Sequence, residues 1–362
     1  MLRILHGIKL SLRQLKRILK TNNLSRRANR TPDNIVRDHI SAELQSSSQC
    51  IGYRCMWQRL VRDHHLNIAR DSVLRLMREI DPQGVNERKM HRLARRKYIS
   101  KGPNFIWHVD GYDKLKPYGF CIHGAIDGYS RRILWLEISN SNNSPSVIAT
   151  YYLDTLKELG FAPRLLRCDR GTENSRLALL QPYFRYNGTD SVAGVKSFMY
   201  GKSVSNQRIE SWWGLLRRQG IHWWISFFKD MVDANTLDTT DKVQIECLRY
   251  CFMDLIQSEL DRIAMNWNNH EIRPQKHRNI PSGRPEIMFH VPEVYGGYNF
   301  GHVVNKDDVT ICQELYGEPK RLYADGMNEL AQLLSLEHRR PNNAKEALEL
   351  YTEIMQLVND VI

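Results

Sequence analysis

Short apolar runs follow one another through the middle of the chain. Residues 105–110 (FIWHVD) and 163–169 (PRLLRCD) are β-leaning runs, and each of them ends in an aspartate. Residues 118–127 and 131–138 are two further runs joined by Gly-Tyr-Ser, which predicts a hairpin. These patterns predict four strands, three of them before the first helix of this region.

Helical patterns separate and follow these strands. Ser144 is a predicted N-cap, Pro145 occupies the first helical position and Gly160 ends the helix. A short helix is predicted after Thr172, and a last strand near residues 197–201. Hairpins followed by alternating helices predict an α/β fold with a mixed sheet packed between helices.

A further helix is predicted from Ser203 to Gly220. The positions i, i+4, i+7 and i+11 place four side chains on one face, namely Asn206, Glu210, Trp213 and Arg217. A second stripe of this helix is apolar and consists of Ile209, Trp212 and Leu216. Glu210 is therefore predicted on a helix face separate from the apolar stripe.

Three acidic residues stand where phosphoryl-transfer chemistry needs them. Asp110 and Asp169 end predicted strands, and Glu210 lies on the later helix. Oxygen donors suit Mg²⁺ or Mn²⁺, and a pair of such ions activates a nucleophile and stabilises the leaving oxygen. Each acid alone has an ordinary interpretation as a turn residue, a cap or part of a solvated face. Their order, with a suitable element under each, predicts a two-cation site.

The segments around these acids resemble the DDE integrase and transposase superfamily. Its catalytic core has a ribonuclease H-like fold, with an aspartate on each of two strands and a glutamate on a later helix. Here 58 residues separate Asp110 from Asp169, and 40 separate Asp169 from Glu210. The segment AIDGYSRRILW resembles a strand hairpin of retroviral-type integrases and of a class of bacterial insertion-sequence transposases. The corresponding aspartate is not a metal ligand in those proteins, so Asp127 is predicted to be a turn residue. The resemblance looks closest to transposon-derived integrase-core proteins of eukaryotes.

The resemblance implies a ribonuclease H-like mixed five-stranded sheet and a DDE recombinase. Asp110, Asp169 and Glu210 would hold two divalent cations, water would cut a phosphodiester at an element end, and the freed 3′-hydroxyl would attack target DNA. Two alternatives stay open, a domesticated DNA-binding protein without activity and a ribonuclease H-like nuclease. Ribonuclease H uses a further acid on its first helix, a role open to Asp154 or Glu158.

Charge divides the chain unevenly. Residues 1–101 carry 23 Lys+Arg against 8 Asp+Glu, a net charge of +15, whereas the whole chain has +12, so the remainder carries −3. The basic part is therefore predicted to bind a polyanion, double-stranded DNA. Seven scattered cysteines predict free thiols in a reducing compartment, and no spacing supports a zinc site.

Two helix-turn-helix patterns lie in the basic part, and both also read as plain helical hairpins. In the first, Ser11 caps a helix whose Leu12, Leu15, Ile18 and Leu19 are predicted to pack inward, while Arg13, Lys16 and Arg17 face DNA. In the second, a helix over 53–62, the turn HHLN and a helix capped by Asp71 present Arg75 and Arg78. Because Met1 lies almost at the start of the first unit, we expect that unit to be incomplete.

Four regions are predicted. They are a basic helix-turn-helix-like segment over 1–36, a second such region with a basic linker over 37–100, the integrase catalytic core over 101–290, and a helical accessory region over 291–362. The linker is predicted to contact phosphates, to act as a nuclear import signal, or to form a solvated charged helix. The protein is expected in the nucleus as a homo-oligomer, and no run of apolar residues is long enough for a membrane span.

Cations and amides near the acids complete the candidate site. The DNA-contacting candidates are Arg170, Lys202, Arg208 and Arg217, each of which has the alternative of an ordinary surface cation. The resemblance implies that Arg217 takes the place of a lysine that contacts the DNA end in many integrases. It also implies a supporting role for Asn174, and Asn206 is a second supporting candidate at the start of the glutamate helix.

Overall fold

The structure is a computed structural model. It describes residues 7–22, 24, 30–46, 51–87, 100–201, 206–274, 281–324, 326–333 and 340–361. The prediction for Lys202 and most of the basic linker lie outside the described residues.

Among the described residues, five helices precede the sheet. They are α1 (Leu12–Thr21), α2 (Asp33–Leu44), α3 (Tyr53–Arg62), α4 (Arg70–Ile80) and α5 (Pro82–Glu87). Helices α2, α3 and α4 bury one apolar cluster that includes Val36, Ile40, Leu60, Val73 and Leu76. The second helix-turn-helix pattern is therefore a three-helix unit with its own small core.

Helix α1 departs from its prediction in one respect. Ser11 caps it as expected, with Gln14 completing a capping box, because each residue bonds the backbone N–H of the other. The inward packing of its apolar residues is wrong: Leu12 is 70% exposed and Ile18 is 45% exposed. Among the described residues, nothing buries this stripe. Periodicity defines an apolar face but does not supply the surface that covers it.

The central sheet has five strands. They are β1 (Ile106–Tyr112), β2 (Cys121–Asp127), β3 (Ile133–Ser139), β5 (Leu165–Cys168) and β6 (Phe198–Tyr200), in the order β3-β2-β1-β5-β6. Strand β1 runs antiparallel to β2 and parallel to β5, and β5 runs parallel to β6. The predicted mixed five-stranded sheet of a ribonuclease H-like fold is confirmed.

Helices cover both faces of this sheet. One face packs against α6 (Pro145–Leu159), α7 (Ser175–Phe184) and α12 (Lys306–Tyr316). The other packs against α8 (Gln207–Leu216), α9 (His222–Asp233), α10 (Lys242–Asn269) and α14 (Ala344–Val361). Helix α6 begins and ends as predicted, since Ser144 accepts a bond from the Val147 N–H and Gly160 adopts φ +77°. Its capping residues therefore set both ends.

The glutamate helix is longer than the sequence predicts. It does not end at Gly220 but passes from α8 through a π-helical turn, Arg217–Ile221, directly into α9. A Cβ on Gly220 would lie 3.2 Å from Glu259 Oε1 on α10. Glycine therefore permits the close approach of the two helices and does not break this one.

The described residues also form four short elements outside the central sheet and its two helical layers. They are β4 (Phe161–Ala162), α11 (Pro285–His290), β7 (His302–Val303), which pairs with β4, and α13 (Gly326–Leu333). The C-terminal helix α14 belongs to the main core, because its Leu350, Tyr351 and Ile354 are buried in the same cluster as α10. In the part of the chain that is described, no helix combines the length and apolarity of a membrane span.

Candidate functional site

Asp110 lies inside β1 and not at its end, since the strand continues to Tyr112. The indole Nε1 of Trp213, on α8, donates a hydrogen bond of 2.9 Å to Asp110 Oδ2. Burial raises the pKa of Asp110 to about 7; the Trp213 bond opposes this rise, and the neighbouring charges of Glu210 and Asp169 add to it. The carboxyl group is therefore held in one orientation beside two other acids.

Asp169 directly follows β5, and hydrogen bonds from the turn after it hold its carboxylate in place. Its Oδ1 accepts a bond of 3.1 Å from Asn174 Nδ2 and a weaker one of 3.3 Å from the Gly171 N–H. Asn174 is buried and also donates to Glu173 Oε1 at 3.0 Å. The supporting role predicted for Asn174 therefore has a physical basis, because one amide group orients two carboxylates.

Glu210 occupies the first turn of α8 and is exposed. The start of this helix is tied to β1 by Asn206, whose Nδ2 donates to the Val109 carbonyl at 2.8 Å. Asn206 Oδ1 lies 2.6 Å from Nδ1 of the buried His108. Burial lowers the pKa of His108 to about 3, so this imidazole is neutral and Nδ1–H is the donor. These bonds place the glutamate helix beside the strand that carries Asp110.

Four carboxylates thus gather at one edge of the sheet, and we call Asp110, Asp169, Glu173 and Glu210 the carboxylate edge. Burial raises the pKa of Glu173, and Asp169 raises it further. The thiol of Cys168 behind them has a pKa well above its usual value, from burial and then from the charges of Asp169, Asp110 and Glu173. Like charges brought together disfavour ionisation, and a cation among them would reverse that effect.

The described carboxylates are near one another without converging on a single point. No group of three or more His, Cys, Asp or Glu side chains in the described ranges is close enough to hold a metal ion. The donor set still fits a hard cation, since it consists of carboxylate oxygens, and no described Lys or Arg forms an ion pair with Asp110 or Asp169. The chemistry of the donors therefore suits Mg²⁺ or Mn²⁺.

The predicted cations lie around this edge in different environments. Arg170 and Arg217 are exposed, and the charge of Arg217 opposes the burial that raises the pKa of Tyr112 to about 12. Arg208 Nε donates to the Gly128 carbonyl at 3.0 Å. Arg208 is therefore bound to the hairpin turn, whereas Arg170 and Arg217 present their charges to solvent.

The three-helix unit presents its predicted cations unequally. Arg75 forms ion pairs with Asp33 and Glu79, whereas Arg78 is exposed. Asp71 is not the cap of α4, because the helix begins at Arg70 and Asp71 lies in its first turn. Arg13, Lys16 and Arg17 are all exposed on α1.

Asp127 has the turn role that the sequence predicts. Its buried carboxylate accepts the backbone N–H groups of Asn104, Tyr129 and Ser130 and so closes the hairpin. Asp154, a candidate fourth acid, instead accepts a hydrogen bond of 2.5 Å from Nε2 of Gln313 on α12. Neither Asp154 nor Glu158 is among the charges acting on Asp110.

Two members of the site escaped sequence reasoning. The helical pattern places Trp213 on the Glu210 face but does not predict its hydrogen bond to Asp110, and no sequence pattern identifies Glu173 as part of the site. The signal for Glu173 is its position in DRGTEN, where the 3-10 turn Thr172–Asn174 returns the chain toward Asp169. A Cβ at position 171 would overlap the Glu173 carboxylate, so a larger residue there would require the Glu173 side chain to move.

Comparison with protein families gives two matches. A family model described as an integrase core domain matches residues 97–284, which is 188 of the 362 residues. A model described as an HTH-like domain matches residues 31–90. No curated protein matches the chain.

Proposed function

The chain belongs to the integrase core domain family, and from this membership we propose that it is a DDE recombinase. It binds duplex DNA, cuts a phosphodiester at the end of a mobile element and joins the freed 3′-hydroxyl to target DNA. The observation that carries the proposal is the carboxylate edge, where β1, the turn after β5 and α8 bring Asp110, Asp169 and Glu210 together. We propose the nucleus as its location.

The proposed cofactor is a pair of divalent cations, Mg²⁺ or Mn²⁺, held by Asp110, Asp169 and Glu210. When bound, the ions would activate the attacking oxygen and stabilise the leaving one. The chain's own residues orient the ligands. Trp213 holds Asp110, Asn174 holds Asp169, and Asn206 holds the start of the Glu210 helix. Burial, together with the charges of Glu210 and Asp169, raises the pKa of Asp110, and a bound cation would favour its ionised form.

DNA binding is assigned to the three-helix unit and to cations beside the carboxylate edge. An HTH-like domain supports the first assignment, and the exposed Arg78 on α4 is a candidate for base or phosphate contact. Arg170 and Arg217 are candidates for phosphates next to the scissile bond. We propose a homo-oligomer as the active form, since joining one element involves two DNA ends.

A strand-transfer assay tests the proposal. The full chain is incubated with labelled duplexes that carry candidate terminal repeats and with plasmid target, in Mg²⁺, in Mn²⁺ or with a chelator. Metal-dependent nicking followed by joined products is the expected result. DNA binding without any metal-dependent nicking would identify a non-cutting, domesticated protein. Cleavage of the RNA strand of a hybrid without joining would identify a nuclease.

A further inference from the structure

A basic cavity lies where the three-helix unit meets the core. It has a volume of about 270 Å³, and its walls come from α3, α4 and the residues that follow α10. The charged and aromatic residues that line it are Arg54, Trp57, Arg70, His270, Glu271 and Arg273. Three guanidinium groups therefore face one carboxylate, a formal surplus of +2.

The cavity has an ordered wall. The Arg70 guanidinium lies over the Trp57 ring, 4.9 Å from its centroid, and Trp57 Nε1 donates to the Ile68 carbonyl at 2.8 Å. Arg70 is also the first residue of α4, and Ala69 before it has no side chain that caps the helix. A cation at a helix N-terminus adds to the positive end of the dipole and does not compensate it. Both features favour an anion at this position.

A second observation shows that the three cations converge. Tyr53 lies beside the cavity, and its hydroxyl accepts a bond of 3.2 Å from Arg54 Nε. This bond lowers the pKa of Tyr53; burial opposes the shift, and the charges of Arg54, Arg273 and Arg70 reinforce it. None of these three arginines forms an ion pair with a described carboxylate.

The surplus of positive charge continues along the junction between the three-helix unit and the core. Burial lowers the pKa of Arg62 on α3, the charge of Arg284 from the core lowers it further, and the charge of the adjacent Asp63 opposes both effects. Burial also lowers the pKa of His270, and the charges of Arg131 and Arg54 lower it further. We call the five unpaired arginines of this junction, Arg54, Arg62, Arg70, Arg273 and Arg284, the arginine seam.

Arg131 connects this seam to the carboxylate edge. Burial lowers the pKa of Arg131 to about 10, and the nearby charge of Arg208 lowers it further. Arg208 lies two residues before Glu210 on α8. Successive electrostatic neighbours therefore link Arg54, His270, Arg131 and Arg208, from the three-helix unit to the glutamate helix.

We propose that the arginine seam binds the phosphodiester backbone of the same DNA duplex that the three-helix unit holds. It thereby sets the distance between the recognised sequence and the scissile phosphate. The inference deepens the proposed function and rests on its DNA-binding part. Phosphodiester oxygens suit the site because several guanidinium groups without carboxylate partners converge there, and planar guanidinium groups bind phosphate well.

The test measures the salt dependence of DNA binding by the full chain. Fluorescence anisotropy with a labelled duplex gives log K against log salt for the wild type and for the triple variant Arg54→Gln, Arg70→Gln, Arg273→Gln. A matched control removes three exposed lysines elsewhere, as Lys242→Gln, Lys306→Gln, Lys345→Gln. We expect the seam variant to lose about 2.7 from the slope, since each phosphate contact contributes about 0.9. A loss equal to that of the control would overturn the inference.

Two further experiments complete the test. The first distinguishes a loss of charge from a loss of folding, and the second distinguishes binding of DNA from binding of free phosphate. The triple variant Arg54→Lys, Arg70→Lys, Arg273→Lys keeps the positive charge. It is expected to keep most of the wild-type slope of log K against log salt. Loss of the slope in that variant too would overturn the inference. Calorimetry with inorganic triphosphate tests a free ligand. Tight triphosphate binding together with an unchanged duplex slope in the glutamine variant would assign the cavity to a nucleotide and overturn the DNA assignment.

The binding test is independent of catalysis. Run in an Asp110→Asn background, it reports on the seam even when no cleavage occurs. A reduced slope in this background, together with a wild type that shows no metal-dependent nicking or joining, would support the seam and reject the recombinase. Metal-dependent joining by the wild type, together with an unchanged slope in this background, would support the recombinase and reject the seam.

Discussion

The carboxylate edge and the arginine seam are two regions in which the fold brings like charges together. At the edge, the charges of Glu210 and Asp169 add to the burial that raises the pKa of Asp110. At the seam, the charge of Arg284 adds to the burial that lowers the pKa of Arg62. Such clusters oppose folding unless a ligand of opposite sign relieves the repulsion. The comparison supports the two proposed ligands, cations at the edge and phosphates at the seam.

A buried ion pair beside the seam provides the contrast. Arg59 is 2% exposed and pairs with Glu43 on α2 at 3.0 Å and with Glu259 on α10 at 2.9 Å. Burial disfavours its charge, but Glu259 and Glu43 outweigh burial and raise the pKa of Arg59. Gln219, in the π-helical turn, also donates to Cys55 Sγ on α3 at 3.4 Å. Paired charges hold the two units together, whereas the unpaired seam stays available for a ligand.

The largest effect is expected at the carboxylate edge. Asp110→Asn, Asp169→Asn and Glu210→Gln each remove a ligand charge while keeping the shape of the side chain. We expect each to abolish cleavage and joining and to leave duplex affinity within about twofold, because phosphate contacts dominate that affinity. Gel assays of nicking and anisotropy of binding check this. A variant that still cuts at the wild-type rate would remove its residue from the site.

The next effect concerns stability. Arg59→Met removes the buried cation that Glu43 and Glu259 share and leaves them only their partly exposed partners His64 and Arg262. Breaking a buried ion pair in this way costs up to about 3–5 kcal/mol. Urea unfolding measures the loss, and Arg54→Met serves as the control because Arg54 is exposed and unpaired. Equal stability of both variants would show that the Arg59 pairs do not hold the three-helix unit on the core.

A smaller effect is expected from Asn174→Ala. Loss of its amide leaves Asp169 Oδ1 with only the weaker bond from the Gly171 N–H and removes the bond to Glu173 Oε1, so these carboxylates are less well oriented. Partners of metal ligands typically contribute 10–100-fold in metal affinity or activity, and we expect half-maximal cleavage to need roughly 10–100-fold more Mg²⁺. Titration of the metal checks this, with the exposed Asn187→Ala as the control. An unchanged metal requirement would contradict the role of Asn174.

The smallest effect sharpens the seam. Arg62→Gln removes one member of the like-charged pair with Arg284, so the free protein should be unchanged or slightly more stable, by less than about 0.5 kcal/mol given solvent screening. Thermal unfolding at low and high salt measures this. A clear destabilisation at low salt would mean that Arg62 has a favourable partner, and the seam would lose that member.

Sequence reasoning recovered the family and the order of the elements. The DDE integrase resemblance and the ribonuclease H-like fold are confirmed by the family match and the sheet order. The ends of α6 follow from Ser144, Pro145 and Gly160, because caps act over a few neighbouring residues. The inward packing of α1 and the end of the glutamate helix at Gly220 were wrong. Both depend on what lies opposite the helix.

The sequence by itself determined the local elements and the three acids that resemble a known site, because strand alternation, helix periodicity and capping are properties of neighbouring residues. The tertiary structure decided which distant charges meet. Trp213 reaches Asp110 across 103 positions, and Arg59 reaches Glu259 across 200. The seam likewise joins Arg62 to Arg284. Electrostatic interactions depend on distance in space and on burial. Only the folded chain therefore reveals which charges form ion pairs and which of the described charges do not.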